Sequence, residues 1–216
     1  MTTLKADGHQ IELSNPGKVL FPAEGINKKD MVEYYRKISA WMLPWLENRP
    51  VMLHRYPDGI EGKNFYQKQE PEYFPGWIDT IRVKVKKRGQ DIQEYVNCNS
   101  EATLLYIANQ GTITPHVWLS RKESIEHPDK MIYDLDPPDG DFSIVRECAG
   151  DFRRLFEELE LNVFAMTTGS KGAHLVVPLD GKTGFGESRR FARDLAGILA
   201  GRHPDRYTTE TLKKKQ

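Results

Sequence analysis

Apolar residues at 31, 34, 35, 38, 41, 42 and 45 recur at three- and four-residue spacing, which predicts a helix with one buried stripe. Asn27 is a good N-cap for it, Asp30 suits its first turn, and Pro44 should kink or end it near Trp45. Upstream, Gly and Pro punctuate the chain, and one short alternating stretch surrounds Ile11 and Leu13. Downstream, residues 51–56 read as a short strand closed by Pro57-Asp58-Gly59. Residues 63–77 mix aromatics with Pro and Gly and read as an ordered loop. Residues 78–87 and 92–98 form an expected hairpin turning at Gly89, followed by a helix over 100–110 that Gly111 stops.

The second half has another rhythm. A strand over 131–136 is cut off by Pro137-Pro138, and a helix over 143–160 carries Val145, Ala149, Phe152, Phe156 and Leu159 on one side. Strands over 162–167 and 174–179 flank the Gly-rich turn 168–172, and a last helix covers 187–201. No internal repeat or low-complexity tract interrupts this order, and the class is α/β in the mixed α+β sense.

Composition narrows the options. The 216 residues carry enough apolar side chains, 38%, for a sizeable core, and no run approaches the length that spans a bilayer. Cys98 and Cys148 lie far apart, which disfavours a zinc site and suits a reducing cytosol. The N-terminus has no secretory pattern, so a cytoplasmic protein is expected. The 31 basic and 31 acidic side chains cancel, but that balance hides patches. Arg82, Lys84 and Lys86 alternate onto one strand face, and Arg49, Arg55, Lys63 and Lys68 surround Phe65 and Tyr66. Cations among rings suit single strands and chain ends, where bases stack; a solvated charged face is the plainer alternative.

Three motifs point to chemistry. In Tyr133-Asp134-Leu135-Asp136-Pro137-Pro138, i and i+2 spacing puts two carboxylates on one strand face, where a divalent cation would relieve their repulsion. The pattern equally admits a solvated strand end. Thr167-Thr168-Gly169-Ser170-Lys171-Gly172-Ala173-His174 is not a P-loop, yet its glycines, hydroxyls and lysine can form a backbone nest for phosphate. A tight turn with a solvent-facing lysine is the bland reading. His116-Val117-Trp118 places a histidine and an indole on one side of a strand, an arrangement common in ordinary cores.

Taken in order, SNPGKVLFP (14–22), NKKDMVEYY (27–35), LPWLENRPVMLHRYPDGIEGKNFYQK (43–68), HVW (116–118), DLDPP (134–138) and TTGSKGAHLVVP (167–178) resemble the polymerase domain of bacterial DNA ligase D. That domain belongs to the archaeo-eukaryotic primase superfamily, and the resemblance covers essentially the whole chain. It implies a primase-polymerase fold, with a central mixed sheet, an RRM-like palm and flanking helices. It also implies nucleotidyl transfer to a 3′-hydroxyl at DNA gaps and double-strand-break ends, using NTP or dNTP and a divalent metal, Mn²⁺ in preference to Mg²⁺. Ku and a DNA ligase are the implied partners, and no membrane is involved.

By the same resemblance, Asp134 and Asp136 are metal-binding and catalytic, with His116 as a further catalytic residue. Thr168, Ser170, Lys171 and His174 contact the nucleotide, Lys18 and Lys28 hold a 5′-phosphate, and Phe65 and Tyr66 stack on DNA. The family's third aspartate follows a segment like TTETLKKKQ (208–216). Residues 1–216 are therefore expected to be a single polymerase domain lacking the C-terminal part. The alternative expectation is an impaired module that binds DNA ends, 5′-phosphate and nucleotide without chemistry.

Overall fold

The computed structural model describes residues 2–87, 90–137, 140–169 and 171–209. The chain divides into two compact units, Met1–Glu123 and Ser124–Gln216. The turn at Gly89, the cations Arg88 and Lys86 as side chains, Pro138, Ser170 and residues 210–216 lie outside the described residues.

The first unit begins with a hairpin, β1 (Thr2–Ala6) against β2 (His9–Leu13), where only the stretch around Ile11 and Leu13 was expected. Asp7 and Gly8 make its two-residue turn with φ of 46° and 78°, the left-handed pair that matches strand twist. Leu4 opposes Ile11 across the pair, and both are buried. Short strands β3 (Val19–Phe21) and β4 (Ile26–Asn27) lead into helix α1 (Lys28–Leu46). Asn27 caps α1 through a full capping box with Asp30, as the sequence predicts.

The buried stripe of α1 is rotated from the expected one. Met31, Val32, Tyr35, Ser39 and Leu46 are buried, whereas Tyr34, Trp41 and Trp45 are exposed. Ser39 explains the shift. Its hydroxyl donates to Glu101 Oε2 at 2.7 Å, so the face toward helix α2 (Glu101–Asn109) takes a small hydrogen-bonding residue instead of a bulky ring.

A five-stranded sheet follows. Strand β5 (Pro50–Arg55) pairs along one edge with β9 (Thr112–Val117). Its other edge is shared by β8 (Gln90–Asn97) at the start and β6 (Phe65–Gln67) at the end, with β7 (Thr80–Lys87) outside β8. Strand β6 corrects the all-loop reading of 63–77; three residues pair with β5, a contact made by tertiary structure and not by local pattern. Ile81 and Val83 face the core, and exposed Arg82 meets Glu94 on β8 at 3.4 Å, so part of the basic strand face is neutralised.

The second unit runs β10 (Lys130–Leu135), α3 (Phe142–Glu158), β11 (Phe164–Thr167), β12 (Ala173–Pro178) and α4 (Phe185–Arg202). Its sheet has the order β10-β12-β11 with antiparallel pairings, the βαββα arrangement of an RRM-like palm. Every described pairing in the chain is antiparallel, and the strands divide among four sheets, so the mixed α/β class holds without one central mixed sheet. Adjacent hairpins supply most of the neighbours, and short turns permit only antiparallel pairs. Leu155, Phe152 and Phe156 form the α3 core face, while Leu159, expected there, is 44% exposed past the last turn. Among the described residues no helix is long and apolar enough to cross a membrane.

Candidate functional site

In the second unit, chemistry gathers at one end of the sheet. Strand β10 stops at Leu135, so Asp134 is its last outward acid and Asp136 follows one residue beyond, ahead of Pro137. Both aspartates are exposed, while Tyr133 is buried against Phe152 and Phe156. Asp134 opposes His174 of β12 in register, with Nε2 to Oδ1 at 3.3 Å. The other imidazole nitrogen, Nδ1, is buried and has no hydrogen-bond partner among the described residues.

The β11–β12 turn closes on the same place. Thr168 donates its hydroxyl to Gly172 O at 3.0 Å and its N–H to the same oxygen at 3.4 Å, and Gly169 takes φ +77°. A Cβ on Gly172 would lie 2.3 Å from Leu135 O and 2.8 Å from Asp136 Oδ1. Only a glycine lets the turn press against the end of β10 this closely. Lys171 is exposed beside it. Turn and acids thus share one corner. Two exposed carboxylates are hard oxygen donors that leave most of a coordination sphere to water and phosphate, which fits Mg²⁺ or Mn²⁺. Among the described residues no group of three His, Cys, Asp or Glu side chains forms a closed metal cage.

The first unit holds a cationic corner. Lys28, the first residue of α1, is 8% exposed, and its ammonium donates to Ser14 Oγ at 3.0 Å. Ser14 is held in turn by Asn109 Oδ1, through its N–H at 3.1 Å and its hydroxyl at 3.3 Å, and Asn109 donates to Glu12 O at 2.9 Å. Among the described residues no carboxylate pairs with Lys28. Burial, then the charges of Lys18 and Arg55, push its pKa below the usual lysine value. Lys18 pairs with Asp58 at 2.9 Å, and the backbones of Lys18 and Lys28 are joined by a 2.8 Å hydrogen bond. A buried, crowded lysine without a counter-ion is an arrangement that an anion would relieve.

Phe65 and Tyr66 are both exposed but point to opposite faces of β6, since neighbours on a strand alternate. The pair expected to act together is therefore split. Phe65 lies under the Arg55 guanidinium, 5.4 Å from its ring centre. Arg55 is fixed by Gln67 Oε1, the Tyr73 hydroxyl and the Gln110 backbone and side-chain oxygens at 2.6–3.3 Å. Tyr66 shares its face with His54 and His116, ring centres 4.0 and 5.5 Å away. His116 Nε2 is buried with no hydrogen-bond partner among the described residues, and burial followed by the charge of His54 lowers its pKa below the usual histidine value.

Sequence reasoning assigned no role to His54, Arg55, Ser14 or Asn109. His54 and Arg55 had a weak signal, lying on a predicted strand beside the basic-aromatic segment. Ser14 and Asn109 had none, because their contact joins positions 95 residues apart.

A family model described as LigD, primase-polymerase domain, matches residues 27–216. The bifunctional non-homologous end joining protein LigD of Bacillus subtilis is 28% identical over 209 residues, covering 96% of this chain and 33% of that protein. The multifunctional LigD of Mycolicibacterium smegmatis is 32% identical over 173 residues, covering 79% of this chain and 22% of that protein. The chain thus spans a third or less of the relatives' length. Among solved structures, the polymerase domain of Mycobacterium tuberculosis ligase D in complex with DNA superposes with a TM-score of 0.82 at 30% identity, covering 90% of this chain and 70% of that one. Motifs, fold and family model agree, and this chain belongs to the LigD primase-polymerase domain family.

Proposed function

We propose that the two units together serve as a DNA-end-joining polymerase, which adds ribo- or deoxyribonucleotides to a 3′-hydroxyl at gaps and broken ends and releases pyrophosphate. The carrying observation is the corner where Asp134, Asp136, His174 and the Gly172 turn meet. Asp134 and Asp136 would hold a divalent cation, Mn²⁺ in preference to Mg²⁺, which would supply charge neutralisation for the triphosphate. Asp134 and Asp136 are exposed to solvent, where a phosphate-bearing substrate has access. The Thr168–Gly172 turn, with Ser170 and Lys171, offers N–H, hydroxyl and ammonium donors to that phosphate. His174, anchored on Asp134 through Nε2, keeps Nδ1 for a substrate oxygen.

In the first unit, Lys28 and Lys18 receive the 5′-phosphate of a gap, and Tyr66 or Phe65 stacks on a template base. His116 offers its imidazole to the reacting strand. Ku and a separate or fused ligase are the partners such an activity calls for.

Primer extension on a 5′-phosphorylated gap, with Mn²⁺ and ribonucleotides, tests the reading. The chain should extend the primer, and Asp134→Ala should abolish extension while gap binding persists. Gap binding without any extension over hours by the unaltered chain would instead support an end-binding module without chemistry.

A further inference from the structure

The Tyr66 ring is not a free-standing side chain. Under it lies His54 from β5, with ring centres 4.0 Å apart and planes 21° from parallel. His54 is 9% exposed and Tyr66 55%, so one face of the tyrosine is covered and the remainder meets solvent. His116 approaches the same ring edge-on, at 66°.

His54 is itself held at both nitrogens. Its Nε2 lies 2.9 Å from Asn64 Oδ1, and the Tyr56 hydroxyl lies 3.3 Å from its Nδ1. An amide oxygen can only accept, so Nε2 carries the hydrogen, while Nδ1 pairs with the Tyr56 hydroxyl, a group able to donate or accept. The imidazole therefore cannot swivel without losing hydrogen bonds. A phenyl ring in its place would stack as well but would lack those two anchors. Phe65, on the opposite face of β6, has a guanidinium beside it instead of a ring.

We propose that His54 is a positioning residue. It forms the fixed bottom layer of a two-ring stack that holds Tyr66 flat, and an unpaired nucleobase at a DNA gap takes the third layer. The inference rests on the DNA-end reading above and adds a residue to it. A surface tyrosine that must find its rotamer at each encounter spends ordering entropy on binding; one already stacked on a buried ring does not. Each base–aromatic stack is worth enough that its loss should weaken template contact by about fivefold or more.

The test uses a 5′-phosphorylated gapped duplex with 2-aminopurine at the unpaired template position. The unaltered chain should quench the probe on binding, because a stacked base loses fluorescence. His54→Ala should lose most of the quenching and weaken affinity for the gap by about fivefold. It should keep the preference for a phosphorylated over an unphosphorylated gap, which depends on Lys18 and Lys28. His54→Phe, which stacks but lacks both anchors, should recover only part of the quenching, a rescue that a merely space-filling role elsewhere in the sheet would not produce at the probe. Asn64→Ala, which leaves both rings and frees the imidazole, should lose about half of it.

Equal quenching by the unaltered chain and His54→Ala overturns the proposal, and so does failure of His54→Phe to exceed His54→Ala. Should His54→Ala unfold, Asn64→Ala decides: quenching as strong as that of the unaltered chain overturns the proposal. Phosphate-dependent binding without quenching by the unaltered chain overturns the stack and leaves the polymerase reading standing. Absence of phosphate-dependent binding overturns that reading, and the stack with it.

Discussion

The two units prepare their charges in opposite ways. In the first, Lys28 and Arg55 are held by neutral partners, Lys28 by Ser14, Ser14 by Asn109, and Arg55 by Gln67, Tyr73 and Gln110, while Lys18 pairs with Asp58. In the second, Asp134 has one histidine at 3.3 Å, and Asp136 stands exposed just past the end of its strand. Lysine and arginine have long stems whose rotamer freedom must be removed before they can hold a phosphate with geometry. Aspartates are short and positioned by their backbone. A preformed bed of hydrogen bonds is needed on one side and a rigid strand end on the other. Gly172 gives the second unit its version of preorganisation, because it seats the turn against Leu135 and Asp136.

The strongest challenge to this contrast is Gly172→Ala. Its Cβ would meet Leu135 O at 2.3 Å, so the turn must move away from the acids. Loss of extension by about a hundredfold or more is expected, the scale of losing one aligned transition-state contact. Discrimination for a 5′-phosphate should stay unchanged. A parallel fall in phosphate discrimination would show that the two preparations are not separate.

Lys28→Ala is the converse and should act about tenfold or more on affinity for phosphorylated gaps, as for a charge-assisted bond. Unphosphorylated gaps should bind nearly as before, and equal weakening of both would remove Lys28 from the phosphate corner. Binding to phosphorylated gaps should also fall steeply with salt.

The smallest effect concerns His116. Its pKa is lowered by burial and by His54, so the folded state takes up a proton less readily than the unfolded chain. The stabilising neutral state is then fully present above the ordinary histidine range and is lost as pH falls below about 6.5. Urea midpoints should drop shallowly between pH 7 and 5, and His116→Gln should flatten that slope. An unchanged slope in the variant would point to another group.

Much of this was legible in the chain because it is local. The Asn27–Asp30 capping box, the Ser100 to Gly111 helix and the turn around Gly169 each follow from residues within a few positions of one another. Asp7-Gly8 was an equally local signal for the first hairpin, outweighed by the surrounding punctuation. Strand β6 was not legible, since an aromatic, glycine-rich segment becomes a strand only through its β5 neighbour. The Phe65 and Tyr66 split follows directly from that missed strand. The Ser14–Lys28–Asn109 chain could not be read either, because nothing in residue 14 or 28 specifies residue 109. The basic and acidic totals could not show that Lys28 lacks a counter-ion among the described residues while Lys18 has one.

The position of Lys28 has a consequence for how the protein could be handled. It is the first helical residue of α1, at the end where the helix dipole is positive, and burial and two other cations already disfavour its charge. The fold carries that penalty in the empty state, and an anion at the corner would remove it. Recognition of a DNA end and stabilisation of the longest helix in the unit would then be a single linked equilibrium. Melting temperature, followed with short 5′-phosphorylated oligonucleotides, would serve as a direct titration of the site without any need for turnover.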